Sequence, residues 1–143
     1  MREASPTGVC EVEARRAVVE LGSAQGAVGE ARDFTTAFLV RHMQPCRPWP
    51  QEGVEAARLV VSELVTNVVK YAPGPCRLEL ALHEGVLEIS VYDTDPVVPV
   101  ARPRNPDRLG QHGMEIVLAL CAAVETQVVP PEGKWVRARL PLG

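Results

Sequence analysis

Aromatic side chains are scarce in this chain: two Trp, two Tyr and two Phe make up 4% of 143 residues. A core built on stacked rings is excluded, so packing must rest on Val, Leu, Ile and Ala within an apolar share of 46%. No apolar run reaches the roughly 20 residues of a membrane span, and Met1–Cys10 lacks an apolar stretch of signal-peptide type. A cytoplasmic protein with no membrane partner is the expectation. There is no long basic run and the net charge is −3, which argues against direct nucleic-acid binding. The four cysteines (Cys10, Cys46, Cys76, Cys121) have neither zinc-ligand nor redox spacing, so reduced and mostly buried thiols are expected.

What is present fits one domain of ordinary size. Residues 1–14 are polar, contain Gly and Pro and show no period, and are expected to be a flexible tail before a domain spanning 15–143. Arg15–Leu21 is Val-rich and predicts a first strand. Ala24–Met43 places Val28, Ala31, Phe34, Ala37, Phe38 and Val40 at helical spacing, and Pro45 must end that helix. Gln51–Ala72 is the strongest helical pattern, with Val54, Ala57, Val61, Leu64, Val65 and Val68 in one stripe. Pro73-Gly74-Pro75 stops it. Cys76–Leu82 and Val86–Asp93 alternate around His83-Glu84-Gly85 and predict a hairpin. Residues 94–109 hold Pro96, Pro99, Pro103 and Pro106 with Arg102, Arg104 and Arg108 between them, which excludes a regular element. A helix over Gly113–Val124 and a hairpin of Thr126–Val129 with Lys134–Leu140 complete the order β-α-α-β-β-loop-α-β-β. This predicts an α+β fold, a two-layer sandwich with helices on one face of a mixed, mainly antiparallel sheet.

Chemistry-bearing residues gather at three places. Glu63 and Asn67 are four apart on the long helix and share a face that Lys70 extends by another turn. The same polar line would also serve as the solvated side of an amphipathic helix. The second strand of the first hairpin ends in Asp93-Thr94-Asp95. The third helix is entered through Gly110-Gln111-His112-Gly113-Met114, and a Gly-rich entry to a helix N-terminus offers free N–H groups and a favourable dipole to an anion. His112 fits either a phosphate contact or a plain loop position.

In this order, these residues resemble the GHKL (Bergerat) ATP-binding fold, and within it the anti-sigma-factor serine/threonine kinase branch abundant in actinobacteria. The resemblance covers about residues 26–140. Its specific part is Ser62-Glu63-Leu64-Val65-Thr66-Asn67-Val68-Val69-Lys70-Tyr71-Ala72-Pro73-Gly74, which is similar to that branch's N-box. The resemblance implies an ATP- and Mg²⁺-dependent kinase in which Asn67 holds the metal and Glu63 is the general base. It also implies that Asp93 receives the adenine amino group. Lys70, Gly110, His112, Gly113 and Met114 would line the nucleotide. Residues 95–110 would form a lid whose arginines either cover phosphates or remain solvated.

Three features depart from the family pattern. Asp93-Thr94-Asp95-Pro96-Val97 lacks the two glycines common after the aspartate, and Gln111 stands where a glycine is usual. Trp135 follows Gly133-Lys134 where a threonine usually steadies the aspartate, and would either leave Asp93 less well held or fill core space. The partners implied are a small antagonist protein that is phosphorylated on Ser or Thr, a sigma factor, and a second copy of the chain in a homodimer. The alternative reading is a nucleotide-binding signalling module without phosphoryl transfer; a purely structural interaction domain without nucleotide is a third.

Overall fold

The computed structural model describes residues 15–22, 26–43, 48–71, 75–93, 113–129 and 133–143. In chain order they form β1 (Arg16–Leu21), α1 (Ala27–Arg41), α2 (Gln51–Tyr71), β2 (Cys76–His83), β3 (Val86–Asp93), α3 (Gly113–Leu120), β4 (Ala123–Val128) and β5 (Lys134–Pro141). The expected tail over 1–14 and the Pro- and Arg-containing segment with Gly110, Gln111 and His112 lie outside the described residues.

The five strands make one sheet in the order β1-β2-β3-β5-β4. All pairings among the described strands are antiparallel, so the parallel component of the expected mixed sheet is not among them. Alternation decides which face is covered. Leu78, Leu80 and Leu82 of β2, Leu87, Ile89 and Val91 of β3, and Val136, Ala138 and Leu140 of β5 are buried on the inner face. Their neighbours in sequence form a polar outer face, where Arg139 donates to Glu88 (3.1 Å) and Arg137 to Ser90 (2.9 Å). β2 and β3 meet in a two-residue turn with Glu84 at φ 53° and Gly85 at φ 79°, the left-handed pair that suits the twist of a hairpin.

The helices cover the inner face in sequence order across the sheet. α1 packs on β1 and β2, α2 on β3 and β5, and α3 on β4, with α2 between the other two helices. α2 buries Ala57, Val60, Val61, Leu64, Val65 and Val68 as one arc. Gly53 lies in its first turn because a Cβ there would collide with the backbone carbonyl of Leu142. α1 buries Ala27, Ala31, Thr35, Phe38 and Leu39. The expected stripe is corrected here: Ala37 and Val40 are exposed, since they fall outside the arc that Ala31, Phe38 and Leu39 define. Thr35 is tolerated inside because its hydroxyl donates to the Ala31 carbonyl at 2.8 Å.

The third helix ends at Leu120 rather than Val124, and β4 begins at Ala123 rather than Thr126. Register explains the shift: Ala123 and Val124 pair with Arg139 and Ala138 of β5, so they belong to the sheet.

Candidate functional site

The pairing register fixes which ends of the elements meet. β2 starts at Cys76 five residues after α2 ends at Tyr71, so the C-terminal half of α2 lies over the end of the sheet where β2 begins. Arg77 pairs with Tyr92, so Cys76 is beside Asp93 at the close of β3. Asp93 in turn pairs with Lys134 at the start of β5. α3 leads into β4, whose first residue pairs with Arg139 at the far end of β5. Eight helical residues span about 12 Å, which brings the N-terminus of α3 back toward Lys134. The second half of α2, the first turn of α3 and the pair Asp93–Lys134 therefore share one end of the molecule.

On α2, residues advance by about 100°. Asn67 then lies about 20° outside the buried arc, Glu63 about 60° and Lys70 about 80°. Burial follows that order, with Asn67 and Glu63 half-buried and Lys70 exposed in the last turn. The opposite flank of α2 carries Arg58, whose guanidinium donates to the Thr36 hydroxyl of α1. With α1 on that flank, α3 packs on the flank of Glu63 and Asn67. Met114 is buried in the first turn of α3. Gly113 opens that helix, while Gly110 and His112 lie outside the described residues.

Asp93 is the least expected of these residues in its surroundings. It closes a row of apolar side chains on the inner face, and its carboxylate is 2% exposed. Lys134 Nζ donates to its Oδ1 at 3.0 Å, from a side chain 7% exposed. The buried Cys76 thiol responds to this setting: burial first, then the charges of Asp93 and Glu20, push it up to about 11.

The expectation about Trp135 is corrected. Trp135 alternates to the outer face, half-buried, with Arg137 stacked 4.2 Å over its ring, so it neither faces Asp93 nor fills the core. The residue beside Asp93 is Lys134, which the sequence reading passed over. A signal was there, because a lysine in phase with Val136, Ala138 and Leu140 falls on the apolar face of an alternating strand.

Among the described residues, no group of three or more His, Cys, Asp or Glu could hold a metal ion. That excludes zinc-type cages there. It leaves room for Mg²⁺, a hard cation that takes one or two protein oxygens and fills its remaining positions with water and phosphate. The Asn67 carboxamide, half-buried beside a packed helix, is a donor of that kind. No helix among the described residues is long and apolar enough to cross a membrane.

Residues 21–140 match the model of the histidine kinase-like ATPase domain. Among solved structures, the chain is similar to the RsbU and RsbW domains of Rv1364c from Mycobacterium tuberculosis (TM-score 0.65, 16% identity), covering 89% of this chain and 32% of that one. It is also similar to the histidine kinase domain of the blue-light activated histidine kinase EL346 from Erythrobacter litoralis (TM-score 0.51, 21% identity), covering 82% of this chain and 60% of that one. The chain thus spans less than two thirds of either solved protein. No match to a curated protein was found.

Proposed function

The chain belongs to the histidine kinase-like ATPase domain family, and from that premise we propose that it binds Mg-ATP and transfers the γ-phosphoryl group to a Ser or Thr of an antagonist protein, as an anti-sigma-factor-type kinase. The observation that carries the reading is the meeting of Glu63 and Asn67, the first turn of α3, and Asp93 at one end of the sheet. The similarity to a structure containing an RsbW domain supports the same branch.

In this reading the bound Mg²⁺ supplies charge neutralisation at the phosphates. Asn67 would hold it through its carboxamide oxygen. Asp93, on the floor, accepts a hydrogen bond from the adenine amine. The N-terminus of α3 directs its free N–H groups at the phosphates, with Gly110, His112 and Gly113 at its entry and Met114 packing beneath. Lys70 is positioned at the rim by the last turn of α2. Glu63 takes the proton of the attacking hydroxyl as its oxygen bonds to phosphorus and the bond to the leaving ADP oxygen breaks. Residues 15–143 would form the ATP-binding unit, with a sigma factor or a second copy as further protein partners.

The test is nucleotide binding followed by phosphoryl transfer. Saturable binding of a fluorescent ATP analogue that strengthens with Mg²⁺ is expected, and Asn67→Ala should remove the Mg²⁺-dependent part. With an antagonist protein supplied, Glu63→Gln should lower transfer by at least about a hundredfold, within the usual range for a general base, and leave ATP affinity nearly unchanged. Binding without transfer in the unaltered protein would favour a nucleotide-binding signalling module. No binding at millimolar ATP would refute the ATP site itself.

A further inference from the structure

Lys134 is a buried cation in a position where the sheet otherwise pairs apolar residues. The three inner-face pairs behind it are Leu87 with Leu140, Ile89 with Ala138 and Val91 with Val136. At the end of the row, where the site opens, the pattern changes to Asp93 with Lys134, both side chains nearly closed to solvent. Removing an ammonium and a carboxylate from water costs several kcal/mol per ion, and an apolar pair of similar volume is often as stable or more so. Fold stability therefore gives little reason for charge here. Recognition does, because an ion pair offers a hydrogen-bond acceptor and donor side by side.

We propose that Lys134 is a specificity-determining residue for the nucleobase: together with Asp93 it reads the Watson–Crick edge of adenine. The inference rests on the reading that Asp93 faces the base. Adenine presents, next to each other, the N6 amine as donor and N1 as acceptor. The Asp93 carboxylate has about four lone-pair sites and the Lys134 ammonium three N–H donors, so their mutual bond at 3.0 Å leaves capacity on both. The carboxylate accepts from N6 and the ammonium donates to N1. Guanine presents the reverse order, O6 as acceptor and N1–H as donor. Its O6 would face a carboxylate and its N1–H an ammonium, a like-to-like mismatch at both atoms. Burial matters here because water cannot substitute for the lost bonds, which is how a hydrogen-bonding site rejects the wrong partner. The same pairing holds the Asp93 carboxylate in place from the neighbouring strand, so Lys134 also positions the acceptor.

The test compares ligands before it compares proteins. Affinities of the unaltered protein for ATP, 1-deaza-ATP (N1 replaced by C–H) and purine riboside triphosphate (no N6 amine) are measured by calorimetry in Mg²⁺ buffer. A charged hydrogen bond contributes enough that 1-deaza-ATP should bind about ten- to a hundredfold more weakly than ATP. In Lys134→Thr, whose short neutral side chain cannot reach N1, that gap should close to within about twofold. A merely structural lysine would lower affinity for all three nucleotides alike and leave the gap unchanged. If the unaltered protein binds 1-deaza-ATP as tightly as ATP but discriminates against purine riboside triphosphate, Lys134 is only a counter-ion and the inference is overturned while Asp93 keeps its role. A gap that persists in Lys134→Thr overturns it equally. Absence of binding by ATP itself removes the underlying reading and this inference with it. The ligand comparison on the unaltered protein decides the matter even if the variant fails to fold.

Discussion

Replacing Lys134 by Met removes the counter-charge 3.0 Å from a carboxylate that is 2% exposed. Breaking a buried pair from one side typically costs about 3–5 kcal/mol, because the remaining charge keeps its desolvation penalty. Asp93→Leu should cost about as much, for the same reason applied to the ammonium. The double variant Asp93→Leu/Lys134→Met instead extends the apolar rows of β3 and β5 by one more pair, and such replacements are often neutral or stabilising. It should return to within about 1 kcal/mol of the unaltered protein, which makes the coupling energy at least about 3 kcal/mol. For a chain of this size, a loss of about 3–5 kcal/mol lowers Tm by roughly 10–15 °C. Urea unfolding followed by circular dichroism, without nucleotide, measures all three variants against the unaltered protein. Losses that simply add in the double variant would show that the two residues do not interact energetically, and the buried pair would lose its physical basis.

Gly53→Ala should lower stability by about 1–3 kcal/mol, since the overpacking against the Leu142 carbonyl outweighs the helix-propensity gain of about 1 kcal/mol; a raised Tm would contradict the docking of the C-terminal residues on α2. Cys76 and Cys121 are both pushed from 9.0 to about 11, mainly by burial. Their thiolate fraction at pH 8 is then about a hundredfold below that of an ordinary thiol, and site-resolved alkylation should be correspondingly slow until the protein unfolds. Because the folded values are raised, this contribution to stability is complete below pH 9.0 and is lost as pH climbs toward about 11. His42 has its pKa lowered from 6.5 by burial, then by Arg15 and Arg41. A lowered folded value favours the neutral ring, so its contribution is present above pH 6.5 and lost as pH falls below that. Arg15→Ala should raise the midpoint of the His42 NMR titration, and an unmoved midpoint would remove Arg15 as a cause.

Periodicity alone determined the elements whose burial is one-sided and regular. The i, i+3, i+4 stripe of α2 and the two-residue alternation of β2, β3 and β5 are properties of neighbouring residues, and they placed Glu63 and Asn67 one turn apart and Asp93 at a strand end. Where burial depends on what packs against an element, the sequence gave a weaker guide. Ala37 and Val40 looked like core but face outward, and Ala122–Val124 looked like helix until register drew Ala123 and Val124 into β4. Tertiary structure alone decided that Lys134 meets Asp93, 41 residues away and across a strand pairing that no local pattern encodes. Alternation could assign Lys134 to the inner face, but only the β3–β5 register selects its partner, because strand order reflects how whole surfaces bury one another rather than any single stretch of chain.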